Sequence, residues 1–195
     1  MNVNQYERDR EVLAELAAHA EDYARETLLR YGCLSPAIIM DTARGDVMVV
    51  ANEFSNGIVQ DRFGEVATLA CISQAASAVV LISECWVKMP AKGEALDMSR
   101  PASQYPDRQA MVILKGEARQ ASNQKLLPTM CSPSGKFIGF GDAYELGSQE
   151  MQGRLPQILP DWLPSQEDQE VARKAIYQIV QEAKRARGEE RGWAR

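Results

Sequence analysis

The segment Ala78-Val-Val-Leu-Ile-Ser-Glu-Cys-Trp-Val-Lys88 constrains the fold more than any other. Apolar residues occupy both alternating positions, so a strand built from it has no face left for water. A strand of that kind belongs in the middle of a sheet, covered on both sides. Val80, Ile82, Glu84 and Trp86 fall on one face, and Leu81, Ser83, Cys85 and Val87 on the other. One carboxylate, Glu84, thus interrupts an apolar strand. An ionised acid under cover is costly unless a cation or several donors meet it. The expected cation is Arg108 or Lys115 on the neighbouring strand, and Arg108 offers a bidentate pair.

The rest of the chain supplies the cover. Leu13, Leu16, Ala20, Tyr23, Thr27 and Tyr31 recur three and four apart, which predicts a long amphipathic helix over about 4–31. Gly32 provides its left-handed cap, and Pro36 stops any continuation. Ala37–Asp41 and Val47–Asn52 flank a short Gly-containing loop, a hairpin signal. Ser55-Asn56-Gly57 reads as a turn, and a second helix is expected to begin near Asp61 or Gly64 and to run through Ala76. Pro90–Asp107 has no period and reads as a long loop, the kind of segment where functional residues gather.

Arg108–Ala121, Leu126–Cys131 and Lys136–Leu146 read as a meander whose last hairpin turns over Ser132-Pro133-Ser134-Gly135. Gly147–Pro164 reads as a strap held down by Leu155, Ile158, Leu159 and Trp162. Ser165, with Asp168 three residues on, opens a final helix with an apolar stripe at Val171, Ala172, Ala175, Ile176, Ile179 and Val180. The expected class is α+β: a mainly antiparallel sheet of about five strands, with an internal helix and long amphipathic helices at both ends. Residues 1–188 read as one domain and 189–195 as a flexible tail. Strict βαβ alternation is absent, which argues against a doubly wound nucleotide-binding fold.

Charge and cysteine usage narrow the function classes. A net charge of -5 and a pI near 5.1 oppose duplex binding by the surface as a whole. Lys184, Arg185, Arg187, Arg191 and Arg195 make the C-terminus locally basic, so a nucleic-acid contact is expected there or nowhere. Helix-dipole complementarity alone accounts for the first three. The longest apolar stretch, Ala75–Val87, is broken by Ser77, Ser83 and Glu84 and is shorter than the roughly 20 residues that a bilayer span needs. The N-terminus lacks a secretory pattern, so a cytoplasmic location is expected, with Cys33, Cys71, Cys85 and Cys131 as free thiols.

No motif names a reaction. His19 is the single histidine, which leaves little for Ser-His-Asp, Cys-His or multi-histidine zinc chemistry. Ser134-Gly135-Lys136 lacks the spacing and the following helix of a phosphate loop, and a hairpin turn explains it. Trp86 and Tyr105 could stack on a ligand, although a Trp on an apolar strand is more often core. No metal site and no cofactor are expected.

Ala70–Gln109 carries Ser83-Glu84-Cys85-Trp86 and then Pro101-x-Ser103-x-x-Pro106-Asp107-Arg108. This stretch resembles a pattern in small uncharacterised bacterial proteins that have no activity attached to them. It covers about a fifth of the chain. A small residue commonly stands there in place of Cys85, so Cys85 departs from the pattern. The resemblance implies that Glu84, Trp86, Asp107 and Arg108 act together. The function expected is a non-catalytic cytoplasmic binding or regulatory protein that works through protein–protein contacts or self-association as a homodimer. One alternative is a hydrolase-like enzyme using Glu84 with Arg108 or Asp107, with Trp86, Ser103 and Tyr105 touching the ligand. The other is nucleic-acid association through the basic tail.

Overall fold

A computed structural model describes residues 3–51, 57–89, 100–146 and 157–186. In chain order the elements are α1 (Val3–Tyr31), β1 (Ala37–Asp41), β2 (Val47–Val50), α2 (Gly57–Gln74), β3 (Ala78–Val87), β4 (Gln109–Ala118), β5 (Ser122–Cys131), β6 (Phe137–Phe140), β7 (Tyr144–Leu146) and α3 (Gln166–Ala186), with a short 3-10 turn at Ala102–Gln104. The class is α+β with an antiparallel sheet, ordered β2-β1-β3-β4-β5-β6, and β7 also pairs with β5. The sheet has seven strands rather than about five. One cause is that the predicted return strand over 136–146 is divided: Gly141 turns its N–H onto the Pro128 carbonyl at 2.9 Å, and pairing resumes only at Tyr144.

The two faces of the sheet are covered by different helices. α1 lies on one face, where Leu13, Leu16, Ala20, Ala24 and Leu28 pack on Ala37, Ile39, Val80, Ile82, Val112 and Leu114. Burying each leucine stabilises by roughly 1.5–3 kcal/mol. The buried stripe follows Ala24 and Leu28, not the expected Tyr23, Thr27 and Tyr31. The small Ala24 lets the helix lie close to the strands, and Tyr31 is left exposed. Close approach is also what Gly116 permits, since a β-carbon there would stand 3.1 Å from Leu13 Cδ2 and far nearer to Asn123 Oδ1. Gly32 adopts φ 74 and donates to the Leu28 carbonyl at 2.9 Å, ending α1 as predicted.

On the opposite face, Val66, Ala67, Ala70 and Cys71 of α2 pack on Ile38, Met40, Val79 and Leu81. α2 extends back to Gly57, before the expected start at Asp61 or Gly64. α3 packs on α2, with Ile176 and Ile179 joining the core and Ala172 buried, while Val171 faces solvent. Its N-terminus is closed by the predicted box: Asp168 accepts both the amide (2.9 Å) and the hydroxyl (2.7 Å) of Ser165, whose Oγ accepts the Asp168 amide in return. Of the strap, Ile158 and Leu159 are buried as expected, whereas Trp162 is exposed rather than anchored. Leu155, the body of the Pro90–Asp107 loop before Arg100, and the 189–195 tail lie outside the described residues.

Candidate functional site

β3 is central, as its composition demands, but it is covered along only part of its length. Ala78 to Ile82 are buried; from Ser83 onward the side chains emerge, and Glu84 and Trp86 are exposed. The reason is geometric. α1 ends at Tyr31, and the chain turns through Gly32 to reach β1; of β3 only Ala78, Val80 and Ile82 join the core beneath the helix. Glu84 is therefore not the buried acid that the strand pattern implied. No cation answers it among the described residues: opposite it in β4 stands Val112, whereas Lys115 pairs in register with Leu81. Its Oε2 accepts the backbone N–H of Leu34 at 3.0 Å, which pins the α1–β1 connection to the strand.

The other residues singled out in the sequence gather around the uncovered end of β3. The Arg108 guanidinium lies 4.7 Å from the Trp86 ring centroid, and its Nη1 donates to the Tyr105 carbonyl at 3.2 Å. Arg100 lies 4.4 Å over the Tyr105 ring. Ser103 sits exposed on the 3-10 turn. Asp107 points to Lys88, whose Nζ donates to Oδ2 at 2.6 Å, and that hydrogen bond holds the Asp107 carboxyl below the usual carboxylate range. The Lys88 stem is buried while its partner acid is in water. Trp86, Tyr105, Asp107 and Arg108 are thus brought together. Glu84 shares the strand face of Trp86 but is held by a different contact.

A buried acid does exist, elsewhere. Glu117 of β4 is only 8% exposed and accepts the amides of Ile158 and Leu159, each at 2.8 Å, while Lys115 lies 2.7 Å from its other oxygen. This arrangement satisfies a carboxylate under cover in the way that burial requires. Its signal in the sequence is Lys115-Gly116-Glu117: two opposite charges two residues apart in a strand share one face. Around the same strap the Arg119 Nη1 reaches the Pro160 carbonyl at 3.4 Å; among the described residues, no hydrogen-bond partner meets the buried Arg119 Nη2 or, on β5, Gln124 Oε1.

The four cysteines are free thiols, with Cys33 and Cys131 exposed and Cys71 buried. Burial pushes the Cys71 thiol up to about 12, aided by the negative charge of Glu117, and pushes Cys85 up to about 11, aided by Glu84. Neither is poised as a nucleophile. His19 lies on the exposed side of α1, its Nδ1 3.1 Å from Asp46 Oδ2. Among the described residues no group of three or more His, Cys, Asp or Glu side chains is placed to hold a metal ion, and no helix is long and apolar enough to cross a membrane. No family model matches the chain, and no curated protein or solved structure matches it either.

Proposed function

We propose that this is a non-catalytic binding protein of the cytoplasm that engages a protein partner through the uncovered end of β3. The observation that carries the reading is Trp86: 49% exposed at the end of an otherwise buried strand, with Arg108 stacked on its ring. Trp, Tyr and Arg dominate the energetics of protein interfaces, because each brings a large area that can be desolvated together with a polar group. Here Trp86, Tyr105, Arg100 and Arg108 present such a surface, already ordered by two cation–π contacts. Preordering lowers the entropy lost on association. Arg100, Arg108 and Lys88 stand against Asp107 and Glu84, so the described part of this end carries one net positive charge on a chain of net charge -5 and suits an acidic partner.

The alternative of a hydrolase using Glu84 with Arg108 or Asp107 has less support, since each of the three is engaged by a different group. The test is capture of partners from extracts of the native cell, using wild type, Trp86→Ala, Arg108→Ala and a control at Arg25, which lies on α1. A partner held by wild type and the control, but weakened about tenfold or more by both surface variants, is the expected result. Equal capture by all four proteins rejects the surface. A dimer that light scattering detects in wild type and not in Trp86→Ala would make the partner a second copy of the chain.

A further inference from the structure

A second surface of different chemistry lies at the other end of β3, roughly 26 Å from Trp86 at ~3.3 Å per residue. There the turn between β1 and β2, the end of α2 and the start of α3 enclose a cavity of about 550 Å³. That volume suits a small metabolite. Its walls carry Arg44 from the hairpin turn, Arg173 from α3 and the amides of Gln74 and Gln169; among the described residues that line it there is no carboxylate.

Among the described residues neither guanidinium group has a counter-charge. Arg44 has no side-chain partner among the described residues, and its backbone N–H is used locally, donating to Thr42 Oγ1 at 3.2 Å. Arg173 makes one long contact, 3.4 Å to the neutral Oε1 of Gln169. Of the acids close by in sequence, Asp41 is committed to the Ser77 hydroxyl, Asp46 to His19 and Asp168 to Ser165, while the exposed Glu167 and Glu170 do not line the cavity. The carbonyl end of α2 forms one wall and contributes about half a negative charge, which leaves the two cations largely uncompensated. Two like charges facing one cavity repel each other, and a bound anion removes that repulsion.

We propose that this cavity binds a small molecule bearing a phosphate or carboxylate group, with Arg44 and Arg173 holding the oxyanion. Arginine suits the task because its planar fork meets such groups in a bidentate manner. The exposed Gln74 supplies an amide donor and acceptor for the rest of the molecule. The site is independent of the Trp86 surface, so either stands if the other fails.

The test is isothermal titration calorimetry of the full chain with inorganic phosphate and, separately, with malonate, at constant ionic strength. Saturable binding of at least one probe is expected, and the probe that binds tells a phosphate ester from a carboxylate. Arg44→Ala and Arg173→Ala should each weaken it about tenfold or more, Arg44→Lys should weaken it less, and Arg25→Ala should leave it unchanged. Both arginines are exposed, so the variants should keep the fold. Absence of saturable heat with either probe overturns the proposal. So does an affinity that survives in either alanine variant.

Discussion

At the scale of single residues, three acids share one habit: each accepts a backbone N–H from a segment that would otherwise be loosely held. Asp9 takes the Gln120 amide at 2.8 Å, Glu84 that of Leu34 at 3.0 Å, and Glu117 those of Ile158 and Leu159 at 2.8 Å. Glu117 has the most at stake because it is buried, holds two amides and also answers Lys115. Glu117→Ala removes the acceptor of two buried amides and the acid beside Lys115, and should cost roughly 3–5 kcal/mol in a denaturant titration. Glu117→Gln keeps one oxygen to accept both amides but loses the charge that answers Lys115, and should cost less, roughly 1–3 kcal/mol. An alanine variant within about 1 kcal/mol of wild type would show that the strap does not depend on this carboxylate. Glu84 stands out in the sequence instead, because it is an acid among Val, Leu and Ile. How far the cover extends along a strand is a tertiary fact that no local pattern encodes.

At the scale of elements, what could be read locally was read well. The cap at Gly32, the box at Ser165 and Asp168, and the position of β3 inside the sheet all follow from short-range chemistry. The β5–β6 turn over Gly135, at φ 80, is of the same kind. What escaped depends on distant partners: the shift of the α1 stripe to Ala24 and Leu28, the exposure of Val171, and the earlier start of α2. The cluster at Trp86, Tyr105, Asp107 and Arg108 was legible because a strand end and the loop before the next strand must meet in an antiparallel pair. The arginine-lined cavity was not, since Arg44 and Arg173 are far apart in sequence. The helices also differ in how they are held. α1 packs on several strands, whereas α3 packs chiefly on α2. Native-state hydrogen exchange should therefore find α3 amides opening at lower free energy than those of β3 and β4. Equal protection in α3 and β3 would contradict this.

At the scale of the whole molecule, one sheet serves two cores. β1 gives Ala37 and Ile39 to one face and Ile38 and Met40 to the other, and β3 does the same with Val80 and Ile82 against Val79 and Leu81. Removing either cover exposes strands that the other cover needs, so the reading of 1–188 as one domain predicts a single unfolding transition. Far-UV circular dichroism and alkylation of the buried Cys71 should report the same midpoint; two separated midpoints would divide the chain into independent units. The acid anchors have a consequence for how such a chain can drift. Each one grips main chain, which every residue except proline offers alike, so the tethered segment can change its letters while the tether holds. Tolerance to exchange should thus be lopsided: broad at Gln120, where only the amide is gripped, and narrow at Asp9, which does the gripping.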